Sequence, residues 1–421
     1  MNTTLEAVSR RTAGTDTDNV AVTVPARELL AMLKKTRANG RPPAPALALT
    51  ALRFQELGWI EARTFDYGTG LAATLGTQTA LPTHERLVMG NALIHTLTEV
   101  ARGAGKDLNV TLRWVRDEQE KISRLQLEAE GFELGIPSAL ASSAHEEYFD
   151  TIHAWPEPDK TANATATVDV QAFRALLDQV AHATSKDETL PVLTSINIEF
   201  STDRITATTT DRYRVAMSWI PSRVNFSGNF LLRLTDWQRI RVLLDKPGDM
   251  MAHLSGVSEF GAFRELRLSG KDFRVFNKAY AESQFPKVKT LLPDRWEQHI
   301  EFSAAAMMRA ARVISTVVER NTPLRLESTK DGTAVQIIGQ FEEAQAKSPL
   351  IPVEGVSEAG IRTAFNPVFY REALKAVAGD KIRISFNETG KPVRVTNAAE
   401  PLERLVTEQL VMPVRMPNPD K

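Results

Sequence analysis

The chain of 421 residues has no cysteine and no long apolar run. The absence of thiols excludes disulfides and thiolate metal centres, so a metal site would need histidine and carboxylate ligands alone. A membrane-spanning helix needs about 18 consecutive apolar residues, and no window of the sequence approaches that length. The first 20 residues lack the apolar core of a signal peptide and are typical of a disordered leader. We therefore expect a cytoplasmic protein that contacts no membrane.

The chain also lacks an excess of charge of either sign, with 51 Lys and Arg against 52 Asp and Glu. This balance excludes a uniformly basic nucleic-acid-binding protein, so any contact with DNA must come from local segregation of charge. A content of 43% hydrophobic and 24% charged residues is typical of a globular protein. The length predicts about three domains, each large enough to bury a core.

Two helical segments recur in each third of the chain. The periodicity predicts helices at 24–37, 89–102, 170–183, 235–244, 302–318 and 366–377. Alternating apolar runs at 196–200, 204–208 and 381–386 are typical of half-buried strands. The order helix, strands, helix, strands indicates an α+β fold of three similar domains, each with two helices against antiparallel sheets.

Two polar, proline-bearing segments separate these domains, at 156–163 and 293–296. The predicted division is a leader at 1–20, three domains at 21–160, 161–295 and 296–416, and a tail at 417–421.

Every predicted helix carries at least one basic residue. The candidate DNA-facing side chains are Lys34, Lys35, Arg37, Arg102, Arg174, Arg239, Arg241, Arg309, Arg312, Arg371 and Lys375. On one common surface they would meet the phosphates of a DNA duplex, with a salt-dependent affinity that ignores base sequence. The alternative is that they form ordinary solvated helix faces. No helix-turn-helix or zinc-finger pattern supports base-specific contacts.

The motifs that resemble catalytic or nucleotide-binding sites fail on inspection. The run Gly103 to Asp107 resembles part of a phosphate-binding loop, but Val100 replaces the leading glycine and Asp107 replaces the magnesium-binding hydroxyl. It is typical of a turn that ends a helix. The sequence Gly68-Thr69-Gly70 lacks the third glycine of a dinucleotide site and is also interpreted as a turn.

Acidic and histidine residues give no stronger sign of catalysis. One cluster, interpreted as a polar surface loop because its histidines lack zinc-site spacing, consists of His145, Glu146, Glu147, Asp150 and His153. Asp211 lies beside Arg212 and Arg214, which would keep it ionised and unreactive as a base, so we predict a turn-capping or ion-pairing role. The sequence therefore predicts no enzyme, no cofactor and no metal.

Three separated blocks carry a resemblance to a known family. They are Thr210-Asp211-Arg212-Tyr213-Arg214-Val215, the run from Phe285-Pro286 to Leu292-Pro293, and Met412-Pro413-Val414-Arg415-Met416. In this order they resemble the beta subunit of bacterial DNA polymerase III, the sliding clamp family. The resemblance extends from about residue 22 to residue 416 and is strongest in the last two thirds. The first third departs from the family pattern at 41–46.

The resemblance implies a ring-shaped, head-to-tail homodimer that encircles double-stranded DNA, with helices inside and sheets outside. Such a processivity factor of DNA replication performs no chemistry. It tethers polymerase, clamp loader and repair proteins through short peptide motifs. The divergent first domain motivates an alternative, a clamp paralogue that is not loaded onto DNA and acts as a peptide-binding decoy or regulator.

The resemblance also implies a peptide-binding cleft. Its residues would be Leu193, Thr210, Arg212, Tyr213, Arg214, Val215, Pro286, Leu291, Pro392, Leu410, Met412, Pro413, Val414, Arg415 and Met416. Without the resemblance, residues 412–414 could simply finish a last strand. Thr290 stands where many family members have a cation, and the tail could alter access to the cleft.

Dimer contacts in the family join the first domain of one subunit to the third domain of the other. They imply Phe132 and Leu134 on one side and Ile314 and Val317 on the other. Core packing is the alternative for each of the four.

Overall fold

The computed structural model describes residues 20–37, 49–55, 58–77, 84–117, 122–136, 155, 164–258, 261–280, 284–293, 295–319, 322–342, 344–355, 361–377, 379–387, 390–400 and 406–415. The chain divides into two compact units. The first comprises 1–158 with 268–277, and the second comprises 159–267 with 278–421.

The described residues form six α-helices and 25 strands. The helices are α1 (Ala26–Lys35), α2 (Gly90–Val100), α3 (Val170–Val180), α4 (Leu234–Ile240), α5 (Ala304–Ile314) and α6 (Pro367–Ala376). The strands are β1 (Ala21–Pro25), β2 (Leu49–Gln55), β3 (Trp59–Phe65), β4 (Thr69–Gly76), β5 (His84–Met89), β6 (Asn109–Asp117), β7 (Ile122–Ala129), β8 (Phe132–Ile136), β9 (Ala164–Asp169), β10 (Ser195–Phe200), β11 (Arg204–Thr210), β12 (Arg214–Pro221), β13 (Gly228–Arg233), β14 (Asp249–Val257), β15 (Phe263–Ser269), β16 (Phe273–Lys278), β17 (Gln298–Ser303), β18 (Leu324–Ser328), β19 (Ala334–Phe341), β20 (Ala344–Lys347), β21 (Ile351–Pro352), β22 (Arg362–Phe365), β23 (Lys381–Phe386), β24 (Val393–Asn397) and β25 (Thr407–Val411).

The first unit has two antiparallel sheets and two helices. One sheet has the order β1-β6-β7-β8, and the other runs β5-β2-β3-β4 and continues to β16. Helix α1 contacts α2 and β4. Its buried residues Leu29, Met32 and Leu33 recur at helical spacing, which gives the helix one apolar face for this contact.

The second unit is built on a sheet of eight strands in the order β13-β10-β11-β12-β25-β24-β23-β17. A further sheet has the order β20-β19-β18-β22, and β9 pairs with β14. Helix α3 contacts β11 and β12, while α6 contacts α5 and β25. The strand pair β12 and β25 is central to the site described below. Residues almost 200 positions apart in sequence become direct neighbours there, as in Val215 opposite Leu410. Helix α6 contacts β25 of this pair.

Side chains fix where three of the helices begin. Asp169 accepts a hydrogen bond from the backbone N–H of Ala172 at 2.7 Å, and Ser303 accepts one from Ala306 at 3.4 Å. Asn366 caps α6 in the same way and is followed by Pro367 at the first helical position, where its missing N–H costs nothing.

These elements confirm the predicted helices and strands, and they show an α+β fold with antiparallel sheets. The helix ends differ from the predictions by up to four residues. The reason is local: the predicted extensions become a 3-10 turn at Ala181–Ala183 and non-helical turns after residues 240 and 314. The division into three domains stays a prediction. Within the described part of the chain, no helix is long and apolar enough to cross a membrane.

Candidate functional site

A tight turn joins β11 to β12 at the centre of the second unit. Arg212 has a positive φ of 79°, and the Oδ1 atom of Asp211 accepts hydrogen bonds from the N–H groups of Tyr213 at 3.1 Å and Arg214 at 3.2 Å. An aspartate side chain can accept hydrogen bonds from the backbone N–H groups two and three residues ahead, which a tight turn would otherwise leave without a partner. The predicted turn-capping role of Asp211 is confirmed.

Arg214 fixes this turn to two helical segments. Its side chain is only 8% exposed. Nε donates to the Oδ2 atom of Asp211 at 2.9 Å, Nη2 donates to the carbonyl oxygen of His182 at 2.6 Å, and Nη1 pairs with the carboxylate of Glu372 on α6. The guanidinium carbon also lies 4.3 Å from the ring centroid of Phe369. A buried cation with this many partners is a rigid anchor, because each partner constrains its geometry.

The positive charge of Arg214 also affects the neighbouring histidine. Burial, and after it the nearby charge of Arg214, lower the pKa of His182 to about 4. His182 is therefore neutral at pH 7. A charged imidazole here would lose its hydration and be repelled by the Arg214 guanidinium, so the neutral form is favoured.

An apolar cleft of about 600 Å³ opens beside the turn. Its lining residues are Leu190, Pro191, Val192, Leu193, Thr210, Arg212, Arg214, Val215, Gln284, Pro286, Val288, Pro392, Leu410 and Met412. The Oγ1 atom of Thr210 is occupied within the turn, since it donates to the carbonyl oxygen of Arg214 at 2.7 Å. The cleft therefore presents mainly aliphatic surface with few polar groups at its edge, which suits the apolar side chains of an extended peptide.

Strand pairing brings the two halves of the cleft together. Val215 on β12 lies opposite Leu410 on β25, and both belong to a buried cluster with Phe285 and Val288. Just beyond β25, the N–H of Met412 donates to the carbonyl oxygen of Tyr213 at 2.9 Å. The two sequence blocks that stand almost 200 residues apart thus form one continuous wall.

The structure places most of the predicted cleft residues in this lining. Tyr213 lies outside it and stacks on Phe369 with ring centroids 6.3 Å apart. Pro413, Val414 and Arg415 follow the last lining residue, and Val414 donates to the carbonyl oxygen of Ala364 at 2.8 Å. The Leu291 side chain and Met416 lie outside the described part of the chain.

Sequence reasoning missed five lining residues: Leu190, Pro191, Val192, Gln284 and Val288. Most of them adjoin predicted ones. The 3-10 turn Pro191–Thr194 contains Leu193, and the short helix that begins at Val288 follows Pro286. The apolar run around Leu193 was a usable signal. Thr290 is exposed, and its hydroxyl donates to the carbonyl oxygen of Lys287 at 2.7 Å.

The eleven predicted DNA-facing cations are all at least partly exposed, but several have partners within the chain. Arg174 and Arg241 both approach the carboxylate of Asp178, at 3.7 Å and 2.8 Å. Arg102 pairs with Glu99 at 2.9 Å, one turn earlier. The more exposed of the eleven are Lys34, Arg37, Arg102, Arg309, Arg312 and Lys375. Local pairing reduces the field that Arg174 and Arg241 can present to a ligand.

The remaining predicted residues fall into distinct settings. Phe132 is exposed on the edge strand β8, Leu134 is half-buried on the same strand, and Val317 is exposed after α5. Ile314 is 5% exposed and belongs to a core cluster of the second unit, which is the alternative given for it. The acidic and histidine cluster at 145–153 lies outside the described residues.

Both glycine motifs have the predicted local structure. Gly103 follows α2 with a positive φ of 81°, as a helix-ending turn requires. Gly68 lies in the turn before β4, so Thr69 and Gly70 lead into a strand and no helix follows. Among the described residues, no group of three or more histidine, aspartate or glutamate side chains is placed to hold a metal ion.

Comparisons with known proteins agree on one family. Residues 167–255 match the central domain of the DNA polymerase III beta subunit, and residues 289–415 match its C-terminal domain. The chain is 26% identical to a beta sliding clamp of Streptomyces coelicolor, over 89% of this chain and 93% of the relative. It is 27% identical to GriR, a beta sliding clamp homolog of Streptomyces muensis, over 62% of this chain and 69% of the relative.

Solved structures show the same fold. A DNA polymerase sliding clamp from Pseudomonas aeruginosa aligns with a TM-score of 0.78 at 16% identity, over 94% of this chain and all (100%) of that one. The clamp from the same organism bound to griselimycin aligns with a TM-score of 0.80 at 16% identity, with the same coverage.

Proposed function

Because the chain belongs to the sliding clamp family, the beta subunits of DNA polymerase III, we propose that it is a processivity clamp. In this proposal two copies close head to tail into a ring around double-stranded DNA. The ring holds the replicative polymerase, the clamp loader and repair proteins near the DNA in the cytoplasm.

The cleft of the second unit carries this proposal. Its wall is aliphatic, and its turn is fixed by the buried Arg214 rather than by a bound partner. A preformed apolar groove loses little entropy when it binds, which suits short peptides whose own ordering is costly. We infer that leucine and aromatic side chains of partner peptides enter this cleft along Val215, Leu410 and Met412.

We assign the DNA contacts to exposed cations on the helices, which would meet phosphates without reading bases. The strongest candidates are Lys34, Arg37, Arg309, Arg312 and Lys375, because these residues are exposed. Arg174 and Arg241 are weaker candidates because both approach Asp178.

The ring requires three domains per subunit, for which we propose the boundaries 21–160, 161–295 and 296–416. For the subunit interface we propose the edge strand β8 with Phe132 and Leu134, opposite Val317 of the second copy. Phe132 is an exposed aromatic on β8, the last strand of its sheet among the described residues, a combination that favours pairing with another chain. Ile314 packs in the core cluster of the second unit, and in this proposal it supports the interface from that position.

The proposal includes no catalysis, cofactor or metal. The carboxylate of Asp211 is committed to two backbone N–H groups and to the guanidinium of Arg214. A carboxylate with these partners supports the turn.

Light scattering during size-exclusion chromatography tests the ring. We expect a dimer of twice the chain mass of 46.6 kDa at micromolar concentration. A monomer at every accessible concentration would contradict the closed ring and favour the non-loaded paralogue that binds peptides as a decoy or regulator. Because the interface is repeated by symmetry, both contacts form or neither does.

A further inference from the structure

The first unit contains a turn with the same backbone design as the Asp211 turn. It joins β3 to β4, and Tyr67 has a positive φ of 67° where the other turn has Arg212. The Oδ1 atom of Asp66 accepts hydrogen bonds from the N–H groups of Gly68 at 3.2 Å and Thr69 at 2.7 Å. Asp66 therefore corresponds to Asp211, and Gly70 corresponds to Val215.

Strand pairing extends this correspondence. Gly70 on β4 lies opposite Phe276 on β16, as Val215 on β12 lies opposite Leu410 on β25. Val215 and Leu410 both line the cleft of the second unit. Gly70 therefore lies at the position in the first unit that corresponds to Val215 in the cleft wall of the second unit.

The indole of Trp155 occupies that position. A Cβ atom added to Gly70 would lie 2.6 Å from the Cε2 atom of Trp155, which means that the ring rests on the glycine backbone. Guanidinium groups flank it, with the carbon of Arg63 at 5.9 Å and that of Arg274 at 5.8 Å from the ring centroid. Both distances are within the range of a cation–π contact.

A buried carboxylate holds the two arginines. Glu61 is fully buried, its Oε1 atom lies 3.4 Å from the Nε atom of Arg63, and its Oε2 atom pairs with Nη2 of Arg274. These contacts do not involve the indole. The arginines and the bare backbone of Gly70 thus form a cradle whose shape is set by the sheet and by Glu61 rather than by its occupant.

We propose that the first unit carries a second binding site, specific for a planar aromatic side chain and occupied by the chain's own Trp155. The site is formed by Gly70, Arg63 and Arg274. It follows that the two turns described share one design, but the chain fills the site in the first unit and leaves the cleft in the second unit open to other molecules. Removal of the indole would create a site for a free aromatic ligand.

A double-mutant cycle tests the packing of Trp155 on Gly70. We expect Gly70→Ala to lower the thermal midpoint of the wild-type chain by roughly 3–8 °C, because the new methyl group meets the ring. In the Trp155→Ala background the same change should leave the midpoint unaltered. Equal losses in the two backgrounds would overturn the proposal. Should Trp155→Ala not fold, Trp155→Phe replaces it, and Gly70→Ala should then cost less than in the wild type.

Chemical rescue tests the site itself, with free indole as the probe. We expect millimolar indole to raise the thermal midpoint of Trp155→Gly and to leave the wild type unchanged. The matched control is Trp155→Gly with Gly70→Val, in which valine fills the cradle and indole should have no effect. The proposal fails if indole stabilises the two variants equally, or stabilises neither. Both tests measure stability, so their outcome is independent of DNA or peptide binding.

Discussion

The Asp66 turn of the first unit and the Asp211 turn of the second have the same backbone design, and the comparison lies in the two residues that begin the next strand. These are Thr69 and Gly70 at the start of β4, and Arg214 and Val215 at the start of β12. The Thr69 hydroxyl accepts a hydrogen bond from the side-chain amide of Asn277 on the neighbouring strand β16 at 2.9 Å. Arg214 instead reaches Glu372 and His182 on separate helical segments.

This difference explains how one turn design can serve two roles. The small Gly70 admits an indole from the same chain, and the site is filled. The larger Val215 forms part of a wall, and Arg214 holds the turn so that the cleft stays open without a ligand. The turn fixes the backbone conformation, and the side chains of the next two residues determine whether the space beside the turn is open to a partner.

The largest effect is expected from Arg214→Ala. It leaves the carboxylates of Asp211 and Glu372 without their cation, and the loss of one partner from a buried pair costs about 3–5 kcal/mol of unfolding free energy. Urea unfolding followed by circular dichroism measures this loss. The control is Arg212→Asn in the same turn, since Arg212 is 60% exposed and asparagine tolerates its positive φ. Equal losses would contradict the anchoring role of Arg214.

The two aspartates allow a direct comparison of the turns. Each aspartate accepts two backbone hydrogen bonds, so Asp66→Ala should cost about 1 kcal/mol of unfolding free energy. Asp211→Ala should cost about 3 kcal/mol, because it also leaves the buried Arg214 short of a partner. Urea unfolding of both variants tests this ranking. A similar loss in the two variants would mean that the turns are energetically alike.

His182 makes the second unit sensitive to acid. Its pKa is about 4 in the folded chain and near 6.5 in the unfolded chain, so between these values only the unfolded chain binds the proton. The stabilisation is therefore complete above pH 6.5 and is lost as the pH falls toward 4. We expect His182→Gln to lose about 1–2 kcal/mol less stability than the wild type between pH 7 and pH 5. Parallel curves of unfolding free energy against pH would contradict this assignment.

Met412 offers a test of the cleft that does not disturb the fold. It lines the cleft and is 39% exposed, while Val414 is 37% exposed and lies outside the lining. We expect Met412→Ala to weaken binding of a fluorescein-labelled peptide with leucine and phenylalanine side chains about tenfold, or about 1.4 kcal/mol. Val414→Ala should bind as the wild type does. Fluorescence polarisation measures both, and equal weakening would remove Met412 from the cleft.

Much of the fold could be predicted from the sequence because its signals are local. Each helix has a 3.6-residue apolar period, and the strands at 196–200 and 381–386 alternate. Asp211 could be assigned to a turn because aspartate bonds the backbone of the next few residues. The helix ends were less predictable, since 3-10 and irregular turns continue the same apolar spacing.

The sites depend on contacts that no local pattern encodes. The cleft could be predicted only through the resemblance that links Thr210–Val215 to Met412, and Gln284 and Val288 have no signal of their own. Trp155 lies beside a segment that the composition indicates to be a linker, and nothing near it indicates Gly70 as its partner. The turn predicted at Gly68-Thr69-Gly70 is confirmed at Gly68, while Thr69 and Gly70 begin strand β4. The reason for glycine at position 70 is visible only in the folded chain.

One measurement tests the proposed clamp most directly: the lifetime of the protein on nicked circular DNA, loaded by a bacterial clamp loader, before and after a single restriction cut. A closed ring cannot leave a circle but slides off an end. We therefore predict long retention on the circle and rapid loss once the DNA is linear. The same rate of release before and after the cut would contradict a ring that encircles DNA.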